Sequence, residues 1–232
     1  MTVSKVGRPR FLIISRRFHD WRVIYNVVSK SLARSSHCST ADQYPLGYLI
    51  TFTCYGTFLH GDERTSVDRH HCGFDTPRLP PNTARLQTVQ RQLKQAPYRL
   101  DQQRRRQIVL EALKEACCDR EWLVFALHVR SNHVHAVLHA ETKPETILKA
   151  LKGRGSRRLT RAGVDPTCRK RWTRHGSTQY LWREEDVNSA IEYVVERQGE
   201  KMAVYDWRVD PTIDRARGLK PTALLFLVNP QP

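Results

Sequence analysis

The stretch EWLVFALHVRSNHVHAVLHA, residues 121–140, decides how this chain folds. Two runs rich in apolar and β-branched residues are separated only by Ser131 and Asn132, a pattern that predicts an antiparallel β-hairpin. Strand side chains alternate between faces, so His133 and His135 share one face while Val134, Ala136 and Leu138 take the other. The two imidazoles are either polar side chains at a sheet surface or two ligands of one divalent cation.

The segments on either side of the hairpin predict an α+β fold. A strand is predicted in YLITFTCYGTFL (48–59), and a helical region from about residue 84 to 118 is divided in two by Pro97. A helix starting after Pro144 runs toward Leu159, a short hairpin surrounds Gly176, and a last helix covers residues 186–198. This order matches a ferredoxin-like sandwich, with an antiparallel sheet and helices on one face.

The last predicted helix, DVNSAIEYVVERQ, has one tyrosine away from its apolar side. Asp186 is the predicted N-cap. Tyr193 lies well away from the centre of the apolar face, which is formed by Val187, Ala190, Ile191, Val194 and Val195. We therefore expect Tyr193 to point into a cleft. Trp172, Tyr180 and Trp182 are either core residues, which we expect, or platforms on which bases stack.

Composition indicates a binding partner that is strongly anionic. The chain has 232 residues, with 39 Lys and Arg against 23 Asp and Glu, a formal net charge of +16. Such an excess of positive charge is typical of proteins that bind a phosphate backbone. No apolar run approaches the roughly 20 residues of a membrane span, and the six cysteines form no CxxC pair. We therefore expect a cytoplasmic protein without a zinc ribbon, a disulfide framework or a membrane anchor.

Three regions are predicted along the chain. Residues 1–43 carry many charges and serines without periodicity and predict a flexible, basic N-terminal arm. Residues 44–200 form the predicted catalytic domain. Beyond Gln198 the chain reads as irregular, and residues 201–232 are predicted to be a C-terminal extension.

Four motifs in succession carry a resemblance to a known family. The segments HVRSNHVHAVLHA, KPETILKALKGRGSRRL, STQYLWRE and YVVERQ together resemble the single-tyrosine HUH transposases, which include insertion-sequence transposases and REP-associated tyrosine transposases. The resemblance runs from about Gly47 to Gln198. It implies cleavage of single-stranded or hairpin DNA by a tyrosine, which leaves a 5′-phosphotyrosine link and a free 3′-hydroxyl, and strand joining by the reverse step.

The same resemblance implies roles for particular residues. Tyr193 would be the nucleophile of a C-terminal catalytic helix, and His133 and His135 would hold Mg²⁺ or Mn²⁺. Relatives place Gln or Asn four residues after the tyrosine, but this chain has Arg197 there, which cannot ligate a cation. Gln198 is our first candidate for the third ligand if the helix end loosens, although an ideal helix turns it about 140° from Tyr193. Glu196, about 60° away, is the second.

Partner and activity leave alternatives open. The basic residues expected to contact DNA phosphates, unless they form only a solvated face, are Lys149, Lys152, Arg154, Arg157 and Arg158. Some relatives form homodimers with shared active sites, whereas others act as monomers. A catalytically inactive DNA-binding protein of the same fold is one rival. An RNA-binding ferredoxin-like module, with Phe52 and Phe125 stacking on bases, is the other.

Overall fold

In the computed structural model, the described residues, 44–63 and 80–210, form a five-stranded antiparallel sheet. The strands are β1 (Gly47–Thr53), β2 (Leu123–Val129), β3 (His133–His139), β4 (Ser177–Leu181) and β5 (Ala203–Asp206), in the spatial order β4-β1-β3-β2-β5. The predictions for residues 1–43, and for the extension beyond residue 210, lie outside the described residues.

The connections confirm the predicted ferredoxin-like α+β fold. Helices α1 (Thr83–Arg91) and α2 (Gln103–Cys118) join β1 to β2, and α3 (Pro144–Arg161) joins β3 to β4. This is the βαββαβ order of the ferredoxin-like class, with β5 added beside β2. Helix α4 (Glu184–Val195) lies between β4 and β5 in the chain.

The hairpin of β2 and β3 supplies the two faces of the sheet. Val134, Ala136 and Leu138 are fully buried in one core with apolar residues of α2 and α3. Gly155 of α3 is buried and faces Trp172, since a Cβ atom there would lie in van der Waals contact with Trp172 Cζ2, at 3.4 Å. Helices α2 and α3 therefore cover the face opposite to His133 and His135.

Helix α4 packs on the histidine face. Its predicted apolar residues are all buried, and a Cβ atom on Gly47 of β1 would lie 3.6 Å from Val187 Cγ2. Asp186 is not the N-cap, as the sequence suggested, because the helix begins at Glu184 with Arg183 as its cap. The Asp186 carboxylate instead accepts a bond from the Arg183 backbone N–H at 3.3 Å, the N3 role in a capping box.

Two predicted elements are wrong. The hairpin around Gly176 does not form, since β4 pairs with β1 and the chain before it makes only a single bridge between Trp172 and Cys54. The irregular chain expected after Gln198 instead contains β5, which pairs with β2. A four-residue strand is too short for its alternation to be recognised from sequence.

The aromatic residues divide between core and surface. Trp172 packs against Phe52 in the core, with ring centroids 5.1 Å apart. Tyr180 and Trp182, predicted to be core residues, are 48% and 51% exposed and stack on each other at 6.3 Å with planes 11° apart. They lie at the end of β4, an edge strand of the sheet within the described residues, where the helices do not cover them.

No helix within the described residues combines the length and apolar character that a membrane span requires.

Candidate active site

His133 and His135 lie side by side on β3, which is flanked by β1 and β2 in the middle of the sheet. Their ring centroids are 4.7 Å apart in an edge-to-face arrangement. His135 is only 5% exposed, whereas His133 is half-buried. Strand alternation thus places both rings on one face, as predicted.

Each imidazole has a polar partner at its Nδ1 atom. His135 Nδ1 lies 2.7 Å from the hydroxyl of Thr51, which is its cross-strand neighbour in β1. His133 Nδ1 lies 2.7 Å from Oδ1 of Asn132, the residue before it. Because a carbonyl oxygen only accepts, His133 donates from Nδ1, and its Nε2 atom carries the ring's lone pair.

Gln198 reaches His135 from the turn that follows α4. The helix ends at Val195 with Glu196 as its C-cap, so the ideal helical angle no longer applies to Gln198. Its Oε1 atom lies 3.1 Å from His135 Nε2, and its amide nitrogen donates to the Tyr193 carbonyl at 3.1 Å. Gln198 can reach the histidines because the helix ends before it. This is the condition under which Gln198 was the first candidate for the third ligand.

Tyr193 lies on α4 next to the same histidine. Its ring centroid is 5.5 Å from that of His135, edge to face, and the side chain is 41% exposed. The structure thus brings Tyr193, His133, His135 and Gln198 together at one place on the sheet.

The other two side chains near this end of α4 are engaged in ion pairs. Glu196, the second candidate for third ligand, is exposed and pairs with Lys201 at 2.9 Å. Arg197 pairs with Glu192 at 2.8 Å, on the outer side of the helix. Neither ion pair includes a residue of the histidine pair.

Burial keeps His135 uncharged. Desolvation, with a smaller contribution from the neighbouring His133, lowers the pKa of His135 to about 3, even though the hydrogen bond that His135 donates to Gln198 acts in the opposite direction. At neutral pH the ring is therefore a neutral imidazole with one nitrogen lone pair, the form that binds cations.

His128 is a site residue that the sequence reasoning missed. It is fully buried opposite His135 in the β2–β3 register, and its Nδ1 atom donates to the Val194 carbonyl at 2.8 Å. The Met202 backbone N–H donates to its Nε2 atom at 3.3 Å. His128 thus fixes the C-terminal end of α4, and with it Tyr193, on the sheet. The sequence HVRSNHVH did contain a signal for His128. It lies in the strand before His133 and His135, at a position that the hairpin brings opposite His135.

The predicted DNA-contacting residues of α3 divide into two groups. Lys149 and Arg157 are exposed. Arg154 pairs with Asp119 and Arg158 pairs with Glu115 at 2.7 Å, both ion pairs linking α3 to the end of α2. All of these lie on the helix that covers the face opposite to the histidines.

Lys152 has an internal role. Its ammonium donates to the carbonyls of Thr173 and His175, each at 2.9 Å, and to that of Arg174 at 3.4 Å. Burial lowers the pKa of Lys152 to about 8. The side chain therefore holds the turn that leads into β4.

A groove lies between α2 and α3. It has a volume of about 660 Å³, and the arginines in its lining are Arg104, Arg158 and Arg161. This groove is a concentration of positive charge on the face away from Tyr193.

The chain matches one protein family over its central part. Residues 93–189 match the family model described as "Transposase IS200 like", Y1_Tnp. The resemblance to single-tyrosine transposases is thereby confirmed for this segment, which contains β2, β3, α3 and β4 and therefore both histidines. Tyr193 and Gln198 follow directly after it.

Two solved structures are similar to the chain at low identity. One is a REP-associated tyrosine transposase bound to a REP hairpin, with 12% identity and a TM-score of 0.36, covering 69% of this chain and 72% of that one. The other is a Deinococcus radiodurans R1 protein assigned as a transposase, with 15% identity and a TM-score of 0.34, covering 70% and 98%. Both TM-scores are below 0.5, so neither similarity supports an inference about this chain. No curated protein matches it.

Proposed function

We propose that this chain is a metal-dependent enzyme of the transposase type, which nicks and rejoins single-stranded or hairpin DNA through Tyr193. The observation that carries the proposal is the 5.5 Å contact between the Tyr193 and His135 rings, with Gln198 bonded to both residues. The family match over residues 93–189 supports DNA strand transfer as the reaction class.

The donor atoms present suit a divalent cation. Among the described residues no cluster of three His, Cys, Asp or Glu side chains is arranged to hold a metal ion, so within this part of the chain a third ligand would come from another residue type. The amide oxygen of Gln198 meets this need. Gln198 Oε1 and His135 Nε2 already lie side by side, 3.1 Å apart. His133, His135 and Gln198 would therefore hold Mg²⁺ or Mn²⁺.

The side chains divide the reaction between them. The chemistry that a bound divalent cation supplies is polarisation of the phosphoryl group and neutralisation of charge on its oxygens. The Tyr193 oxygen forms a bond to phosphorus while the bond from phosphorus to the 3′-oxygen breaks. The phenol proton passes to water and the departing oxygen takes a proton from water, giving a 5′-phosphotyrosine and a 3′-hydroxyl. His128 holds the end of α4 against the sheet, so that Tyr193 stays beside the histidines.

DNA contacts come from exposed groups of two kinds. The exposed cations Lys149, Arg157, Arg104 and Arg161, the last two from the groove between α2 and α3, would contact phosphates. The exposed stack of Tyr180 and Trp182 offers aromatic surface on which unpaired bases can stack.

A covalent trapping experiment tests the proposed function. The protein is incubated with Mn²⁺ and a suicide oligonucleotide, whose cleavage releases a short fragment and prevents religation. We expect a covalent adduct that maps to Tyr193 by peptide mass spectrometry and is absent in Tyr193→Phe. Tyr180→Phe, a change at another exposed tyrosine, should leave the adduct intact. An adduct that persists in Tyr193→Phe would overturn the proposal.

A DNA-binding protein without cleavage activity is the second candidate. The observation that favours it is Arg197, which occupies the position where relatives have a ligand and which pairs with Glu192. Binding of single-stranded DNA in the presence of Mn²⁺ without any adduct would support this candidate. The RNA-binding alternative loses its basis, because Phe52 and Phe125 are both buried and neither can stack on a base.

A further inference from the structure

The hydrogen bonds at the two histidines raise a question about which ring nitrogen carries the proton. A neutral imidazole has one N–H and one lone pair, and a cation can bind only at the nitrogen with the lone pair. The partner at the other nitrogen decides which form is present. His133 and His135 differ in this respect.

His133 already has the form that suits a ligand. Asn132 Oδ1 accepts from Nδ1 at 2.7 Å, so the proton resides on Nδ1 and the lone pair on Nε2. Asn132 immediately precedes β3 in the hairpin connection, so the two side chains are held together by the turn.

His135 has the opposite form. Gln198 donates its amide N–H to the Tyr193 carbonyl, and this turns Oε1, an acceptor, toward His135 Nε2 at 3.1 Å. Nε2 must therefore carry the proton, and Nδ1 accepts from the Thr51 hydroxyl at 2.7 Å. A cation shared by Nε2 and Gln198 Oε1 requires the proton to leave Nε2.

We infer that Thr51 is a positioning residue that lets His135 exchange tautomers when a cation binds, while Asn132 holds His133 in a single tautomer. This rests on the proposed function, since it concerns the same cation site. A hydroxyl both donates and accepts, so Thr51 donates to Nδ1 in the cation-free protein and accepts from Nδ1–H in the loaded one. One proton leaves Nε2 and one arrives at Nδ1 through exchange with water, so the net charge of the ring is unchanged.

Burial makes the Thr51 hydroxyl difficult to replace. His135 is 5% exposed, and Thr51 is held opposite it by the antiparallel register of β1 and β3. Without the hydroxyl, the buried Nδ1–H of the loaded form would have no acceptor. Removing the hydrogen-bond partner of a metal-binding histidine typically lowers metal affinity about 10- to 100-fold.

Nitrogen-15 NMR of the histidine side chains tests the tautomers directly in the wild-type protein. In the cation-free protein we expect His133 protonated at Nδ1 and His135 at Nε2. On saturation with Mg²⁺, His135 should change to the Nδ1–H form while His133 keeps its own. Binding of Mg²⁺ with no change at His135, or a cation-free His135 already protonated at Nδ1, would overturn the inference.

Substitutions test the role of the hydroxyl by calorimetric measurement of Mn²⁺ affinity. Thr51→Val should weaken binding about 10-fold or more, and Thr51→Ser should restore most of it. Thr53→Val is the matched control, because Thr53 is on the same face of β1 opposite His133 but bonds to Thr173. Equal affinities in wild type and Thr51→Val would contradict the inference while leaving the proposed function intact. Absence of Mn²⁺ binding in wild type would instead remove the metal site itself.

Discussion

At the scale of single residues, His135 is the point where the site is assembled. It contacts the Thr51 hydroxyl from β1, the Gln198 amide from the turn after α4 and the Tyr193 ring from α4 itself. Three separate segments thus converge on one buried ring. The arrangement explains how a strand and a helix far apart in sequence can bring their polar side chains together in one cluster.

The third ligand is the residue that most needs a test. Gln198→Ala should lower Mn²⁺ affinity at least about tenfold, because it removes the oxygen 3.1 Å from His135 Nε2. Glu196→Ala should leave affinity unchanged, since the carboxylate is exposed and paired with Lys201. Arg197→Ala is a control for local disturbance of the turn. A larger loss of affinity in Glu196→Ala than in Gln198→Ala would reverse the assignment.

The orientations of single side chains could be predicted from sequence where they depend only on the regular repeat of a strand or a helix. Strand alternation predicted the shared face of His133 and His135, and helical periodicity predicted that Tyr193 leaves the apolar side of α4. The roles of Lys152 and Arg158 could not be predicted, because they depend on partners that only the folded chain brings close. Lys152 bonds to carbonyls 21 to 23 positions away, and Arg158 bonds to a carboxylate 43 positions away. No local pattern indicates these partners. The direction of Gln198 depends on where α4 ends, and element ends are poorly specified by sequence.

At the scale of elements, α4 positions Tyr193 beside the histidines, and β4 positions the exposed aromatic pair. Three acidic residues in the first turn of α4 complement its dipole, and His128 secures its other end. Strand β4 at the edge of the sheet presents Tyr180 and Trp182 to solvent. The sequence predicted β4 but assigned it to a local hairpin, because pairing with the distant β1 leaves no trace in the nearby residues.

The exposed cations of α3 should contribute to DNA binding through phosphates. Lys149→Ala and Arg157→Ala should each weaken binding of a labelled oligonucleotide and reduce the slope of log affinity against log salt by about 1. Arg158→Ala should change that slope less, because its guanidinium is occupied by Glu115. Fluorescence anisotropy over a series of salt concentrations measures these slopes. Identical slopes in wild type and in both exposed-site variants would exclude α3 from the interface.

The aromatic pair should contribute a binding term that depends little on salt. Trp182→Ala should weaken single-stranded DNA binding by about 1–3 kcal/mol, because stacking on a base is lost, without changing the salt slope. Phe58→Ala, at another exposed aromatic residue, is the matched control. If Trp182→Ala changes the oligomeric state in light scattering and leaves DNA affinity unchanged, the stack is a protein interface and the DNA role is wrong.

At the scale of the whole molecule, the sheet separates two surfaces with different chemistry. The face covered by α4 carries the buried histidines, and the α2 and α3 face carries exposed cations and the arginine-lined groove. The fold class could be predicted from element order. The phosphate-backbone partner that the +16 charge indicates stays a prediction. The sequence could not predict which face of the sheet carries the histidines and which carries the exposed cations, because this depends on the side of the sheet against which α3 and α4 pack.

The buried histidines should make stability fall on acidification. Burial lowers the pKa of His128, His135 and His139, that of His135 to about 3. Below about pH 6.5 the histidines of the unfolded chain bind protons that the buried histidines of the folded chain do not. The stabilisation from keeping these histidines neutral is therefore complete above this pH and is lost as the pH decreases. From pH 7 to 5.5 we expect a loss of about 1 kcal/mol for His135 alone in chelator-treated protein.

Urea unfolding at the two pH values measures this loss. His175→Gln, a change at an exposed histidine, is the matched control. Stability that stays constant or rises on acidification would show that these histidines do not have the buried, neutral state described above.

Anomalous diffraction from crystals soaked in Mn²⁺ tests most directly whether a cation joins the histidine pair to Tyr193. We expect one anomalous peak in contact with His133, His135 and Gln198, on the side of the sheet that carries Tyr193. A peak bound by other residues, or histidines that bind no Mn²⁺ at saturating concentration, would contradict this expectation.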